Sequence, residues 1–326
     1  MRVRTVAIVS IWTVAGLLAG FALGVHVGRE RHLPFVEEQM RWSIGIYAGP
    51  SPLELAPPEG IENPVLVPED VTDVQAQFLA DPFMVPTDST WFMFFEVYNA
   101  AARQGDIGLA SSPDGMHWTY QEIVLDEPFH LSYPHVFEWG GRYYMTPESY
   151  EAFSLRLYRA EDFPRGWTFV GTLRGGINVD PTVFRHDDRW WMYVSTSPWG
   201  DGTLRLFGAD SLAGEWREHP ASPLVVDDPN GARPGGRVVS LDGRLLRFAQ
   251  DDYPGFGNRL VAFEILRLTP DLYEERRVEG GPVLQASGSG WNADGMHHAD
   301  AHRIGSHRWI ACVDGGRWIR RLVADY

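Results

Sequence analysis

The chain has 326 residues and a formal charge of −15, from 28 basic and 43 acidic residues, with one cysteine, Cys312. Every basic residue is arginine, which excludes Schiff-base, pyridoxal-phosphate and P-loop lysines, and the acidic balance makes nucleic acid an unsuited partner. A single cysteine excludes an internal disulfide and a cysteine-rich zinc site.

Residues 5–27 contain no charged side chain, and the run is long enough for a helix of about 20 residues to cross a bilayer. Arg2 and Arg4 precede it; Arg29, Glu30 and Arg31 follow it. This pattern predicts an uncleaved signal anchor with residues 1–4 in the cytoplasm and the rest on the periplasmic or extracellular side. A cleaved signal peptide, with Ala22-Leu23-Gly24 as its cleavage site, is the rival reading. Gly16, Gly20, Gly24 and Gly28 share one helix face, an arrangement that permits a helix-mediated dimer. Residues 28–41 read as a juxtamembrane stem, and residues 33–326 carry a net charge of −18.

Residues 42–326 are built on a repeat. Each copy opens with a polar residue and usually proline, runs through a short strand, turns at a small or charged pair, and continues into an aromatic strand. The copies are DPFMVPTDSTWFMFFEVYN from Asp81, YPHVFEWGGRYYMTPESY from Tyr133 and DPTVFRHDDRWWMYVSTSP from Asp180, with looser copies from Arg233 and Asp300. A second half follows in the first four units: an alternating strand, a turn rich in Asp, Pro or Gly, and a further strand. Ser112-Pro-Asp-Gly-Met-His-Trp118 is one such turn, a folding element between a third and a fourth strand. Four strands per unit of about 50 residues predict propeller blades. The expected fold is therefore an all-β, five-bladed β-propeller preceded by one transmembrane helix. Residues 63–66 (NPVL) are expected to close the last blade, and residues 42–47 to add a further strand, because a ring cannot leave a sheet edge exposed.

In a propeller the first strands line the central channel. Asp81, Tyr133, Asp180, Arg233 and Asp300 stand at their starts, and His135 and His302 lie two residues on, on the same strand face. Aligning the copies at their turns puts Glu96, Glu148, Ser195, Gln250 and Asp314 at one equivalent place on the second strand, polar residues inside apolar runs. Buried carboxylates are costly unless paired, so the set predicts a polar axial pocket with arginine partners such as Arg233 and Arg237. His297, His298 and His302 form a second cluster around Asp300, of a type that can bind sugar hydroxyls, move protons or hold a metal. Neither a metal nor an organic cofactor is expected. Trp291, in the glycine- and serine-rich segment 288–295, and Trp199 are placed in loops where they can stack on sugars.

Asp81-Pro82 and Asp180-Pro181 opening blades one and three resemble the arabinanase, levansucrase and invertase superfamily, which includes glycoside hydrolase family 43. More specifically, WSIGIYAGPSP, DPFMVPTDSTWFMFFEVYN, SPDGMHWTYQEIVLDEPFHLSYPHVFEW and YYMTPES resemble the N-terminal propeller domain of plant glucosamine inositolphosphorylceramide transferases and bacterial homologues, over roughly residues 42–315. The plant proteins carry a separate glycosyltransferase domain after the propeller. The sequence here ends at Tyr326, so the resemblance is not expected to bring transferase activity with it. In the hydrolase families it implies a general base at Asp81 and a residue tuning the acid at Asp180. The expected acid from blade four is replaced by Arg233, leaving Glu148, Glu96 or a histidine of MHHADAH for that role. An inverting reaction would need two carboxyls about 6.5–9.5 Å apart.

The leading expectation is a membrane-anchored propeller with glycosidase-like action on an envelope or extracellular polysaccharide or glycolipid. The alternative is a non-catalytic glycan-binding module serving a glycosyltransferase. The catalytic candidates are Asp81, Asp180, Glu148 and Glu96. The substrate-binding candidates are Tyr133, His135, Arg233, Gln250, Trp291, His298, Asp300, His302 and Asp314.

Overall fold

A computed structural model describes residues 36–198 and 202–322. The predicted anchor and Trp199 lie outside these residues, and no helix among the described residues is long and apolar enough to cross a membrane. The described residues divide into a main unit, within residues 41–317, and a small one made of residues 36–40 and 318–322.

The fold is an all-β, five-bladed propeller, and every blade is an antiparallel sheet of four principal strands. Blade one comprises Ala76–Pro86, Trp91–Asn99, Gln104–Ser112 and Thr119–Leu125. Blade two comprises Ser132–Trp139, Arg142–Glu148, Ser154–Asp162 and Arg165–Gly175, and blade three Val179–His186, Arg189–Ser195, Leu204–Ala209 and Arg217–Glu218. In blade four the innermost strand is split into Arg233–Pro234 and Val239–Leu241, both paired with Arg244–Asp251; Arg259–Leu268 and Tyr273–Arg277 follow outward. Blade five joins the two ends of the chain: Ala299–Gly305 and Arg308–Leu322 are continued outward by Val36–Ser51 and Glu54–Ala56.

The closing strand is therefore not residues 63–66. That segment joins blade five through a single bridge, from Leu66 to Ile44, and through the Asn63 side chain, which exchanges hydrogen bonds with the backbone of Ile46. Proline has no N–H to give a ladder, and Pro64 stands in the middle of the segment. Residues 42–47 are buried without interruption, the burial of a strand packed on both faces, and they occupy the third place in the blade.

Two local features recur because the repeat encodes them. The turn between the first and second strands uses two residues with positive φ in three blades: Gly140 and Gly141 (60° and 71°), Asp187 and Asp188 (47° and 59°), and Asp242 and Gly243 (49° and 82°). This backbone matches the twist of a two-residue hairpin, and Gly and Asp are the residues that tolerate it. In the Ser112–Trp118 turn the Ser112 hydroxyl accepts the N–H groups of Asp114 and Gly115, and the Trp118 indole donates to the Gly115 carbonyl at 3.0 Å.

Five apolar clusters hold the ring, one at each junction between neighbouring blades. Leu79, Met84 and Phe95 meet Ile44, Ile46, Ile310 and Cys312 between blades one and five. Phe94, Ile107 and Leu109 meet Val136, Met145 and Trp167 between blades one and two. The series continues through Leu157 with Val183 and Met192, Tyr193 with Ile265, and Phe248 with Ala299 and Trp309. Each such fully buried side chain contributes about 1.5–3 kcal/mol relative to exposure. At the split in blade four the backbone of Gly236 (φ +139°) crosses so close to blade five that a Cβ would sit 1.9 Å from the Ala299 carbonyl oxygen. Gly236→Ala is expected to lower stability by about 3 kcal/mol, measurable by urea denaturation, because both contact and backbone angle resist a side chain.

Candidate functional site

The innermost strands of blades one to three share a β-bulge. Ala80 pairs with Glu96 and Phe83 with Phe94, so Asp81 and Pro82 together oppose one residue. Tyr133-Pro134 and Asp180-Pro181 repeat this in blades two and three. The first residue of each bulge has positive φ: 52° at Asp81, 45° at Tyr133 and 48° at Asp180. A bulge re-aims the side chain it carries, and left-handed backbone is uncommon outside glycine, so three equivalent cases make this part of the frame a candidate site.

One mouth of the ring opens into a cavity of about 720 Å³. Asp81, Glu96, Glu148 and Arg233 border it, as does His297, with Asp252, Glu151 and Asp228 nearer the rim. The second-strand alignment is matched in register: Glu96, Glu148 and Ser195 pair with Ala80, Ser132 and Val179, and Gln250 pairs with Arg233. Two residues beyond this row stand Tyr98, still on its strand, and Tyr150, Ser197 and Asp252, just past the ends of theirs, all on the cavity wall. Sequence reasoning missed these four; strand alternation points to Tyr98 alone, since the other three follow the ends of their strands. The aromatic wall was missed too. Phe78 stacks on Tyr98 with centroids 5.0 Å apart, and Phe256 meets Trp42 edge-on at 6.4 Å.

Asp180 stands behind the wall. Its Oδ2 receives Arg233 Nε at 2.5 Å and Gln250 Nε2 at 2.8 Å, and its backbone N–H donates to Glu148 Oε2 at 2.8 Å. Asp314 lies below the mouth and accepts three donors, the N–H groups of Asp81, His297 and His298, and its carboxylate stands 3.0 Å from His297 Nδ1. The ring contact is off the N–H axis and acts as an ion pair. The other ring nitrogen of His297 lies 3.5 Å from Asp81 Oδ1.

The electrostatics follow from these contacts. Burial pushes Asp81 up to about 7, against the pull of His297 and with help from Asp180 and Asp314. Burial likewise raises Glu96 and Glu148, reinforced at Glu96 by Asp81 and at Glu148 by Asp180. His297 is lowered by burial, yet Asp314 and Asp81 outweigh that effect and hold it at about 9. Burial pushes His298 down to about 4 and lowers His135 and His130.

The other candidates are not at the cavity. Tyr133, His135 and His298 fill the channel beneath it. Phe83 packs against all three, and the Tyr133 hydroxyl lies 2.8 Å from Thr182 Oγ1 and accepts the Gly236 N–H at 2.7 Å. Asp300 is not a blade start. Blade five lacks the bulge, and pairing of Asp300 with Cys312 puts it level with Phe83 rather than Asp81. Its carboxylate accepts Arg237 Nε at 2.7 Å, the Met84 N–H at 2.7 Å and His302 Nε2 at 2.8 Å, which together hold it ionised despite burial. That group ties blades one, four and five together deep in the channel. Trp291 is not a lid: a Cβ on Gly45 or Gly315 would come within 2.6 or 2.4 Å of its ring, so the indole is walled in by two glycine-bearing strands.

Asp81, His297 and Asp314 are close enough to share a metal ion. Asp314, however, already accepts three backbone N–H groups, which leaves the trio better suited to a charged imidazole between two carboxyls.

Comparison with known proteins gives the same frame. Residues 36–316 match the family model described as "Glucosamine inositolphosphorylceramide transferase 1, N-terminal". The chain is 37% identical over 297 residues to glucosamine inositolphosphorylceramide transferase 1 of Oryza sativa subsp. japonica, covering 85% of this chain and 40% of that protein. It is 35% identical over 333 residues to the Arabidopsis thaliana protein of the same name, covering 93% and 43%. It thus spans less than half the length of these relatives. Among solved structures, the catalytic domain of Coprinopsis cinerea GH62 α-L-arabinofuranosidase superposes with a TM-score of 0.56 at 15% identity, over 87% of this chain and 98% of that one; the likeness is one of fold.

Proposed function

The chain belongs to the glucosamine inositolphosphorylceramide transferase N-terminal family, and from that premise we propose that its propeller is a saccharide-binding module serving a glycosyltransferase in glycolipid or polysaccharide synthesis, without cleaving the glycan. The observation that carries this reading is Arg233. It occupies the blade-four position from which the hydrolase pattern calls for an acid, and it is bound to Asp180. A guanidinium cannot deliver a proton at neutral pH. What remains suits binding: carboxyls that exchange hydrogen bonds with sugar hydroxyls, and aromatic faces on two sides that take the C–H face of a pyranose. In this reading residues 5–27 anchor the module, with their glycine face available for helix pairing, and the propeller works on the periplasmic or extracellular side.

A second reading, glycosidase-like hydrolysis, is favoured by one feature. Glu148 shares a buried contact with Asp180, and burial and that neighbour raise its carboxyl well above the usual range, the direction a general acid needs. One experiment separates the two. The purified chain is titrated calorimetrically with oligosaccharides of envelope and glycolipid headgroup type, and the mixtures are analysed chromatographically. Binding with the glycan recovered intact is expected. Cleavage that disappears in Glu148→Gln would replace the first reading with the second.

A further inference from the structure

We infer that the cavity is a blind pocket that takes the non-reducing end of a glycan and does not hold an internal stretch of a longer chain. The inference rests on the saccharide-binding reading and names the part of the saccharide that the site reads. The first observation is the wall. In four successive blades the loop between the second and third strands borders the cavity, through Arg103, Tyr150, Pro198 and Phe256. Trp42 borders it from blade five. Among the described residues, then, every blade contributes to the rim. The second observation is the floor. Phe83, Tyr133 and His298 fill the channel beneath it, and each is 0% exposed. An internal stretch of a polymer needs two openings, one for each continuing end, whereas a space walled around its rim and closed below admits one end. The volume of about 720 Å³ is that of a site enclosing a small ligand, for which about 300–1,000 Å³ is usual.

The chemistry of the floor is independent of its shape and suits a terminal unit. Glu96 borders the cavity, and among the described residues its nearest basic atom is His130 Nε2, at 3.5 Å, too far for a good hydrogen bond. Glu148 gives Oε2 to the Asp180 N–H, which leaves Oε1. Arg233 gives Nε to Asp180, which leaves four guanidinium N–H groups on a side chain 22% exposed and stacked over Phe256 at 5.0 Å. Acceptors and donors thus stand together on the floor, as adjacent hydroxyls require. A terminal unit carries the hydroxyl that an internal unit has lost to its next glycosidic bond. Glycans joined to lipid, protein or polymer are attached through the reducing end, so the end free to enter is the non-reducing one. A unit seated there has its hydroxyls covered and cannot be extended while it is bound.

The test is calorimetry on the purified chain with trimers to hexamers of β-1,4-linked glucose, mannose and galactose, and with each other glycan of the panel that binds. Every binder is tried in two altered forms: reduced to the alditol at the reducing end, and closed as a cyclic acetal on the hydroxyls of the non-reducing unit. The alditol is expected to bind like the parent. The acetal is expected to bind about tenfold or more weakly, the scale of hydrogen bonds lost to charged groups. Glu96→Leu is expected to weaken the parent by a similar factor, about tenfold, and Glu96→Gln, which keeps hydrogen-bonding atoms, to restore most of it. Undiminished binding of the acetal, or loss of binding on reduction to the alditol, overturns end recognition and leaves saccharide binding standing. Failure of every glycan in the panel to bind overturns the saccharide-binding reading itself.

Discussion

Asp81→Asn is expected to make the protein more stable in mildly alkaline solution while removing most of its affinity for a glycan. The native carboxyl is held at about 7 by burial, against an ordinary value of 3.8. Between those two values the native state keeps a proton that the unfolded chain gives up. Stability therefore falls as pH rises through that window, at about 1.4 kcal/mol per unit for each such group, and the full loss is present above about 7. Asparagine has no proton to lose. The gain is partly offset at His297, whose value of about 9 depends in part on Asp81. A histidine raised in this way stabilises fully below about 6.5 and ceases to do so as pH passes its native value. The net expectation is a gain of about 2 kcal/mol for Asp81→Asn at about pH 8. His135 and His298 are lowered and act only below about pH 6.5, so they do not enter this window. Urea denaturation at about pH 8, where the full loss is present, measures the effect: Asp81→Asn should unfold at a higher urea concentration than the unaltered protein. A variant equal to or less stable than the unaltered protein at that pH contradicts the assignment.

The second large effect is expected at Arg233. Its guanidinium meets Asp180, whose side chain is 1% exposed, and Asp180 in turn borders the buried carboxyl of Glu148. Arg233→Met removes the cation and leaves a charge buried without its partner, at a cost of about 3–5 kcal/mol. Asp180→Asn in the same chain removes the stranded charge, and the double variant should recover most of the loss. A double-mutant cycle by chemical denaturation measures the coupling. Additive losses would mean that the two residues act independently, contrary to the geometry.

The fold was legible in the chain because each blade repeats its own turn chemistry. HDDR, WGGR and LDGR all encode a positive-φ pair, and the polar row from Glu96 to Asp314 is visible as breaks in apolar strands. Blade five was misaligned by two residues because it lacks the bulge that its polar opening suggested, so Asp300 and His302 belong to the channel and not to the mouth. The closing strand was misplaced because residues 63–66 look like a strand in isolation, whereas burial on both faces belongs to residues 42–47. The aromatic walls were the least legible part. Phe78 and Tyr98 come from blade one, Trp42 from blade five and Phe256 from a loop of blade four, and only closure of the ring brings them around one space. Trp291 reads the same way in sequence, as a tryptophan in a glycine-rich loop, yet close packing against Gly45 and Gly315 makes it structural.

In the proposed function, one mouth of the ring holds a saccharide between its aromatic walls and leaves it intact. The most direct measurement is a crystal structure of the protein soaked with an oligosaccharide that calorimetry shows to bind. An intact ring between Tyr98 and Phe256, with a hydrogen bond to Asp81, is the predicted result. A sugar bound at the opposite face or on an outer strand, with this cavity empty, would contradict it.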